Sequence, residues 1–341
     1  MKNRKTYLHV LLLGFIFFSL LPCFAKESQT KLQKQDNTVE IIVLNTGDIH
    51  EFPENLKKIK DYVSNVRLEN KSKKNKIVIL LDSGDLMDHN PNQFRKTGKW
   101  AYKDTSKSKG YKIYGWAKSM DYNAMILGNH DLCAGIERTK EFITSYKLPF
   151  VDANVVIPGL TRPKDGPIIP PYRVVEYDYT AKSGKKGVVR IGIIGFMDQS
   201  RKDYHLLKNE RNKLGVHRVN SDICKGYVRE LSKKCDIIIF LSHNWDSFSN
   251  KRYQKVDDKY LAEMHGSMII IGGHTHNKLS KTFSVNTRIN ERHLTKAGWM
   301  GEAVGKTVIK WDSKKPHNII SIKPSYKLMK NYLKEIIKLI G

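Results

Sequence analysis

The sequence predicts one large α/β domain. Short β-branched apolar runs, typical of buried strands, alternate with amphipathic segments of helical spacing. Polar side chains of the kind that bind ligands follow directly on several of these strands. Because the carboxyl ends of parallel strands meet at one edge of a sheet, we expect those side chains to share one crevice. The chain has 341 residues, enough for a full core, and shows no internal repeat.

Residues 1–25 are predicted to be a cleaved secretory signal peptide. A positively charged head precedes the mostly apolar run Leu8 to Leu21, which is too short to span a bilayer comfortably. Cys23-Phe24-Ala25 then supplies a small-residue cleavage site; a lipoprotein signal would use Cys23, but Pro22 fits that signal poorly. We therefore expect an exported protein, periplasmic or secreted, with no transmembrane segment in the mature chain. Residues 26–38 are predicted to be a flexible lead-in.

The composition favours anionic partners in general but does not identify one class of partner. The formal net charge of +26 favours anionic partners such as nucleotides, nucleic acid or anionic lipid. The charge is mostly Lys spread along the whole chain, which is equally typical of a solvated surface, and no nucleic-acid-binding module stands out. Beyond the signal, Cys133, Cys224 and Cys235 form an odd, sparse set, which argues against a disulfide framework. The oligomeric state stays open.

The order of the predicted elements follows from apolar periodicity. Strands are predicted at 39–44, 76–81, 124–127, 150–151, 172–179, 188–194, 236–241, 267–271, 304–311 and 319–323. Helices are predicted from Pro53 onward and at 113–120, 136–146, 219–233 and 326–340, the last forming a basic C-terminal helix over residues 326–341. Residues 89–112 are predicted to be irregular, as a substrate-facing loop or a surface insertion.

Five predicted strands end in side chains that can bind metals. They carry Asp48 and His50, Asp85, Asn129 and His130, His243, and His274 and His276. The Asp-x-His spacing would place Asp48 and His50 on the same side of an extended segment. A lone His after a strand is usually structural, but five such strand ends are hard to produce by chance.

This set of ligands predicts two metal ions. Carboxylates, imidazoles and an amide without thiolates suit Mn, Fe or Zn better than Ca. With so many ligands, the natural arrangement is two divalent ions bridged by one carboxylate, and Asp85 is the expected bridge. Two close cations hold phosphate oxygens and lower the pKa of a bridging water.

The succession of motifs resembles the calcineurin-like metallophosphoesterases over about residues 39–325, and within them the exported 5′-nucleotidase branch. Asp152-Ala153-Asn154-Val155 and Thr295-Lys296-Ala297-Gly298 also match that branch. The resemblance implies a four-layer α/β/β/α sandwich of two mixed β-sheets. It implies one metal held by Asp48, His50, Asp85 and His276, and another held by Asp85, Asn129, His243 and His274. It further implies that His130 faces the substrate phosphate as an acid and does not ligate.

Two departures from the nucleotidase branch matter. That branch normally adds a C-terminal domain that stacks the base, and this sequence ends near where that domain would begin, which leaves base specificity open. It also usually has Asp three residues after the catalytic His, where this chain has Cys133. We hypothesise that Asp88 replaces this acid and orients His130, because Gly-Asp-x-x-Asp resembles the protein phosphatase branch. Asp131 is the alternative partner.

The expected activity is hydrolysis of phosphomonoesters, with small phosphorylated substrates and nucleotides foremost. A phosphodiesterase or nuclease using the same centre is the main enzymatic alternative, favoured by the positive charge. A catalytically weak, metal-stabilised binder of anionic surfaces is the alternative from another class. Cys133 argues mildly for the binder, but a binder has no need of seven metal ligands.

Overall fold

The computed structural model describes residues 36–50, 55–87, 109–133, 135–161, 168–198, 206, 209–244, 261, 264, 269–276, 278–283 and 292–329. The predicted signal peptide, the lead-in up to residue 35, Asp88 and residues 330–341 lie outside this range. So do residues 89–108 of the predicted irregular segment. None of the described helices combines the length and the apolar character that crossing a bilayer requires.

Strands and helices alternate as far as Val156, and strands predominate in the rest of the described chain. The helices are α1 (Leu56–Asn70), α2 (Lys109–Met120), α3 (Ile136–Tyr146) and α4 (Asp222–Lys234). The first strands are β1 (Thr38–Thr46), β2 (Lys76–Asp82), β3 (Ala124–Met125), β4 (Val155–Val156), β5 (Tyr172–Thr180), β6 (Lys186–Met197) and β7 (Gly215–Val216). The later strands are β8 (Ile237–His243), β9 (Ile269–Gly272), β10 (Lys278–Phe283), β11 (Arg292–Ala297), β12 (Ala303–Asp312) and β13 (Ile319–Leu328).

These strands form two mixed sheets and a short ribbon. The first sheet has the order β13-β12-β1-β2-β3, in which β1, β2 and β3 are parallel and β12 is antiparallel to β1. The second has the order β10-β11-β9-β8-β6-β5, in which β6, β8, β9 and β11 are parallel. The strands β4 and β7 pair separately. The carboxyl ends of the parallel strands therefore define a functional edge in each sheet.

Side-chain alternation along the strands stacks these sheets between helices. On β1, Ile41 and Val43 pack into the cluster between the sheets, whereas Leu44 packs on the side of α1, α2 and α3. On β8, Ile239 faces the same inter-sheet cluster and Phe240 faces α4. Since each sheet buries both faces, the layers run helix, sheet, sheet, helix. The expected four-layer α/β/β/α sandwich of two mixed sheets is confirmed.

Two local predictions were wrong. The predicted C-terminal helix was to begin at Tyr326, but β13 continues to Leu328, where it pairs with Ala303 of β12. The apolar residues there have helical spacing, but backbone hydrogen bonding with β12 makes the segment a strand. The predicted strand at 150–151 contributes only one bridge, between Phe150 and Met125. Cys224 lies inside α4, within the predicted helix, and is buried and not in a disulfide.

Candidate metal centre

The two functional edges face each other, and all seven predicted metal ligands meet between them. The first sheet brings Asp48 and His50 after β1, Asp85 after β2 and Asn129 after β3. The second sheet brings His243 at the end of β8, and His274 and His276 after β9. Most of these side chains are buried; His276 is the exposed one.

One half of the site is built by Asp48, His50 and His276. The Nε2 atoms of His50 and His276 lie 3.0 Å apart. Asp48 Oδ1 lies 3.9 Å from His50 Nε2 and 3.8 Å from His276 Nε2. The three potential donor atoms are thus mutually within 4.8 Å.

The other half is built by Asp85, Asn129, His243 and His274. His243 Nε2 lies 3.1 Å from Asp85 Oδ2 and 3.0 Å from Asn129 Oδ1. His274 Nδ1 lies 2.9 Å from Asn129 Oδ1 and 3.3 Å from His243 Nε2. Asp85 connects the halves, because its Oδ2 also lies 3.9 Å from His50 Nε2.

These separations fit shared coordination of metal ions. Two ligand atoms each about 2.1 Å from one ion, at angles between about 90° and 109°, lie about 3.0–3.4 Å apart. The His50–His276 and His243–His274 nitrogen pairs, at 3.0 and 3.3 Å, match this spacing. The donors are nitrogen and oxygen atoms only, a set that suits Mn, Fe or Zn.

His130 lies beside both halves. Its backbone N–H donates to Asp85 Oδ1 over 2.8 Å, and its ring meets the His50 ring edge-on at 4.8 Å between centroids. It also forms a donor group with His50 and Asp85 whose atoms lie within 4.8 Å of one another. The ring is half-buried, so it borders the site and remains open to a substrate.

The backbone at the candidate ligands departs from the extended form that was predicted for Asp48 and His50. Asp48, His50, Asp85, His274 and His276 all have positive φ, between 50° and 73°. Non-glycine residues adopt this left-handed region uncommonly, and clusters of such residues occur at functional sites where the surroundings hold them. The prediction that Asp48 and His50 lie on one extended segment is therefore wrong, although their side chains do converge.

Two polar residues, Ser83 and Asp131, hold this strained backbone. Ser83 Oγ lies 3.1 Å from both Thr46 O and Gly272 O, and Ser83 O accepts from His243 Nδ1 over 2.7 Å. Nδ1 of His243 is thereby occupied and Nε2 is directed at the site. The Asp131 carboxylate accepts backbone N–H groups from Gly128, Asp85 and Met87 at 2.7–3.0 Å, which ties two ligand-bearing loops together.

Charge and burial oppose each other in the site. Burial raises the pKa of Asp48 to about 7, against the charge of His243. Burial would also raise the pKa of Asp85, but the charges of His243 and His130 outweigh it and hold that pKa well below its usual value. Burial would lower the pKa of His243, whereas the charge of Asp85 raises it to about 10. Burial lowers the pKa of His274 well below its usual value. Added positive charge would stabilise the carboxylates in their ionised form.

Two residues near the site were assigned no role from the sequence. The Trp299 ring stacks on the His276 ring, with centroids 4.9 Å apart and planes 13° from parallel. Lys296 is buried and donates to the backbone beside His274. Trp299 could have been noticed in the sequence, because it lies between Gly298 and Gly301 just after a strand. Lys296 stands in the segment Thr295-Lys296-Ala297-Gly298, whose match to the nucleotidase branch was noted but gave this lysine no role.

Of the two acids considered as partners that orient His130, the structure describes only Asp131. Asp88 lies outside the described residues, so its role stays a prediction. Asp131 is described, and its carboxylate oxygens are directed at backbone N–H groups of Gly128, Asp85 and Met87. Cys133, which stands where the nucleotidase branch has Asp, is buried.

Comparison with known proteins identifies the family. Residues 41–278 match the sequence profile of the family described as Calcineurin-like phosphoesterase. The chain belongs to this family. The family prediction is thereby confirmed, together with the expected class of protein, the metallophosphoesterase hydrolases.

Relatives of this metallophosphoesterase include nucleotide-acting proteins. It is 25% identical over 299 residues to a 2′,3′-cyclic-nucleotide 2′-phosphodiesterase/3′-nucleotidase of Haemophilus influenzae, a match that covers 81% of this chain and 41% of the relative. The chain thus spans less than half the length of that curated relative.

Solved structures share its fold. The calcineurin-like phosphoesterase YfkN from Bacillus subtilis matches with a TM-score of 0.62 and 19% identity, over 86% of this chain and 92% of that one. A 5′-nucleotidase precursor from Thermus thermophilus matches with a TM-score of 0.60 and 20% identity, over 88% and 58% of the two chains.

Proposed function

We propose that this metallophosphoesterase is an exported hydrolase with two divalent metal ions, and that it cleaves phosphomonoesters, nucleotides foremost. The observation that carries the proposal is the position of Asp85. Its carboxylate lies within 3.9 Å of His50 and 3.1 Å of His243, and so borders two separate groups of donors. A carboxylate between two donor groups is the arrangement expected of a bridging ligand.

The described side chains divide naturally between two ions. The first would take Asp48, His50, Asp85 and His276, and the second would take Asp85, Asn129, His243 and His274. When bound, such ions polarise phosphate oxygens and lower the pKa of a bound water. Manganese, zinc and iron all suit these donors.

The remaining work falls to residues of the chain. His130 borders both donor groups and is half-buried, so its ring can donate a hydrogen bond or a proton to a phosphate oxygen or leaving group. The hydrogen bond from the His130 backbone N–H to Asp85 Oδ1 fixes His130 relative to the proposed bridging carboxylate. The edge-on contact with His50 limits rotation of the His130 ring. Imidazole titrates near neutral pH, which suits this role.

Nucleotides lead among the substrates because the H. influenzae relative is named for cyclic-nucleotide phosphodiesterase and nucleotidase activities. That name also supports a second candidate, a phosphodiesterase acting at the same site. The net charge of +26 favours any anionic substrate and does not separate the two.

Export rests on the N-terminal sequence, where a charged head, an apolar run and small residues occur in the order of a signal peptide. Mass spectrometry of the protein recovered outside the cytoplasm should find Lys26 at its N-terminus. A recovered cytoplasmic protein that retains residues 1–25 would contradict export.

The activity is tested by hydrolysis of p-nitrophenyl phosphate, bis-p-nitrophenyl phosphate and AMP, each with Mn²⁺ and with Zn²⁺. We expect the two monoesters to be cleaved faster than the diester. His130→Asn should lower turnover by two to four orders of magnitude, the range of general acid–base catalysis. The control is His317→Asn, an exposed histidine whose positive φ asparagine tolerates.

Faster cleavage of the diester would favour the phosphodiesterase candidate. Binding of both ions without hydrolysis of any of the three compounds would favour the weak binder of anionic surfaces.

A further inference from the structure

A buried ammonium group lies directly behind the histidine-bearing loops of the second sheet. Lys296, on β11, is 1% exposed. Its Nζ donates to Gly273 O over 2.7 Å, to Thr275 Oγ1 over 2.9 Å and to Asn244 O over 3.3 Å. Lysine is almost never fully buried unless its charge is compensated. The burial of Lys296 therefore indicates that its three hydrogen bonds serve a specific structural role.

The path of the Lys296 side chain is built into the sheet. Strand β11 runs parallel to β9 with Lys296 opposite Gly272. A Cβ on Gly272 would lie 2.9 Å from Lys296 Cε and 3.3 Å from its Cγ. The absence of a side chain at Gly272 is therefore what lets the lysine stem cross β9 and reach the loops beyond it.

The three acceptors flank the candidate ligands. Asn244 directly follows His243, and Gly273 and Thr275 lie on either side of His274. One ammonium group thus joins the loop after β8 to the loop after β9. The second loop needs such support, because both His274 and His276 have positive φ.

We propose that Lys296 is a positioning residue of the metal centre, which holds His243, His274 and His276 at their coordinating separation before any metal binds. Hydrogen bonds from a charged donor are stronger than neutral ones, and neighbours of this kind tune metal affinity through ligand geometry. The inference rests on the proposed function only in taking these histidines as ligands. It makes no claim about the substrate.

The test compares Lys296→Met, which keeps most of the stem but removes every donor, with Lys296→Gln, which keeps an uncharged N–H donor. The control is Lys323→Met on the exposed outer strand β13. Mn²⁺ affinity of the metal-free full chain is measured by calorimetry, and ligand geometry by the visible spectrum of the Co²⁺-loaded protein. The melting temperature of the metal-free protein is recorded alongside.

Lys296→Met should weaken metal affinity by about 10- to 100-fold, the usual effect of losing a partner behind metal ligands. The Co²⁺ bands should shift, Lys296→Gln should recover part of the affinity, and Lys323→Met should match the wild type. A lower melting temperature with unchanged affinity and unchanged Co²⁺ bands would show that Lys296 supports only the fold, and would overturn the proposal.

If Lys296→Met does not fold, Lys296→Gln and Gly272→Ala carry the test. The added methyl group at residue 272 displaces the lysine stem without removing its charge, so weaker Mn²⁺ binding in both variants supports the proposal and wild-type binding in both overturns it. Failure of the proposed function appears differently. Wild-type protein that binds two ions but hydrolyses no phosphoester refutes the function and leaves the role of Lys296 intact.

Discussion

A single added methyl group at Gly128 should displace the carboxylate that connects the two halves of the metal centre. Gly128 lies in the turn after β3 and packs against the loop after β2. A Cβ on this residue would lie 2.0 Å from Asp85 Oδ1, 2.3 Å from Asp85 N and 2.6 Å from Asp85 Cγ. Because φ at Gly128 is not positive, the effect of alanine there is steric and not conformational.

The size of the displacement follows from these distances. Ordinary van der Waals contact begins at 3.4 Å, so Asp85 Oδ1 must retreat by about 1.4 Å. The added Cβ also clashes with the backbone nitrogen of Asp85. Rotation of the Asp85 side chain cannot relieve that clash, so the loop itself must move. A misplacement of about 1 Å at a catalytic site costs about 10²-fold in rate. That corresponds to about 2.7 kcal/mol of transition-state stabilisation.

The assay is steady-state hydrolysis of p-nitrophenyl phosphate by Gly128→Ala, with bound Mn²⁺ counted on the same sample. We expect kcat to fall by about 10²-fold and at least one ion to bind more weakly. Gly226→Ala is the matched control, since Gly226 lies in α4 and an added Cβ would meet nothing closer than Arg229 Nη2 at 3.9 Å. Wild-type kcat and metal content in Gly128→Ala would refute the placement of Asp85 against this turn.

Four further outcomes are expected, three at described residues and one at Asp88, which lies outside them. Burial raises the pKa of Asp152 to about 7, so between pH 4 and 7 the folded state holds a proton that the unfolded state has released, and stability falls as pH rises. Asp152→Asn should remove this loss, which is about 3 kcal/mol between pH 5 and 8, in urea titrations at those two pH values. Mn²⁺ binding at His276 should quench the fluorescence of the stacked Trp299, a change that Trp299→Phe abolishes. Asp88→Asn should lower turnover by one to three orders of magnitude without loss of metal. Asp131→Asn should instead lower stability by about 1–3 kcal/mol, because it sets an amide N–H against a backbone donor.

Each outcome has a definite contrary. Equal pH dependence of stability in Asp152→Asn and the wild type would show that this carboxyl is not the group responsible. An undiminished Mn²⁺ response in Trp299→Phe would place the responding tryptophan elsewhere. A silent Asp88→Asn with a large loss of turnover, but no loss of stability, in Asp131→Asn would assign the orientation of His130 to Asp131.

The sequence predicted which polar side chains converge, because the signals for them are local. Each candidate ligand follows an apolar strand, and the carboxyl ends of parallel strands meet at one edge of each sheet. Asp48 and His274 illustrate the limit of that reasoning. The Asp48 carboxylate accepts the His274 backbone N–H at 2.9 and 3.0 Å, and this link between the sheets depends on left-handed backbone at both residues. No pattern in this sequence predicts a positive φ at a non-glycine residue.

The residues that support the ligands were harder to predict for a related reason. Asp131 was the alternative partner for His130, whereas its turn directs the carboxylate to three backbone N–H groups. Lys296 acts across β9, through a gap that exists only because Gly272 lies opposite. Such contacts arise from the packing of two sheets, which the spacing of residues along one chain does not encode. The end of β13 was missed because an exposed edge strand and an amphipathic helix can share one apolar pattern.

The bound-metal count of Asp85→Asn shows whether Asp85 bridges two metal ions. Wild-type protein and variant are stripped with chelator, reloaded with Mn²⁺, freed of excess ion and analysed by elemental mass spectrometry. Asp152→Asn serves as the control, being a buried carboxyl outside the site. We expect two ions per chain in the wild type and in the control, and one or none in Asp85→Asn, with most activity lost. Two tightly held ions and normal turnover in Asp85→Asn would contradict the bridging role.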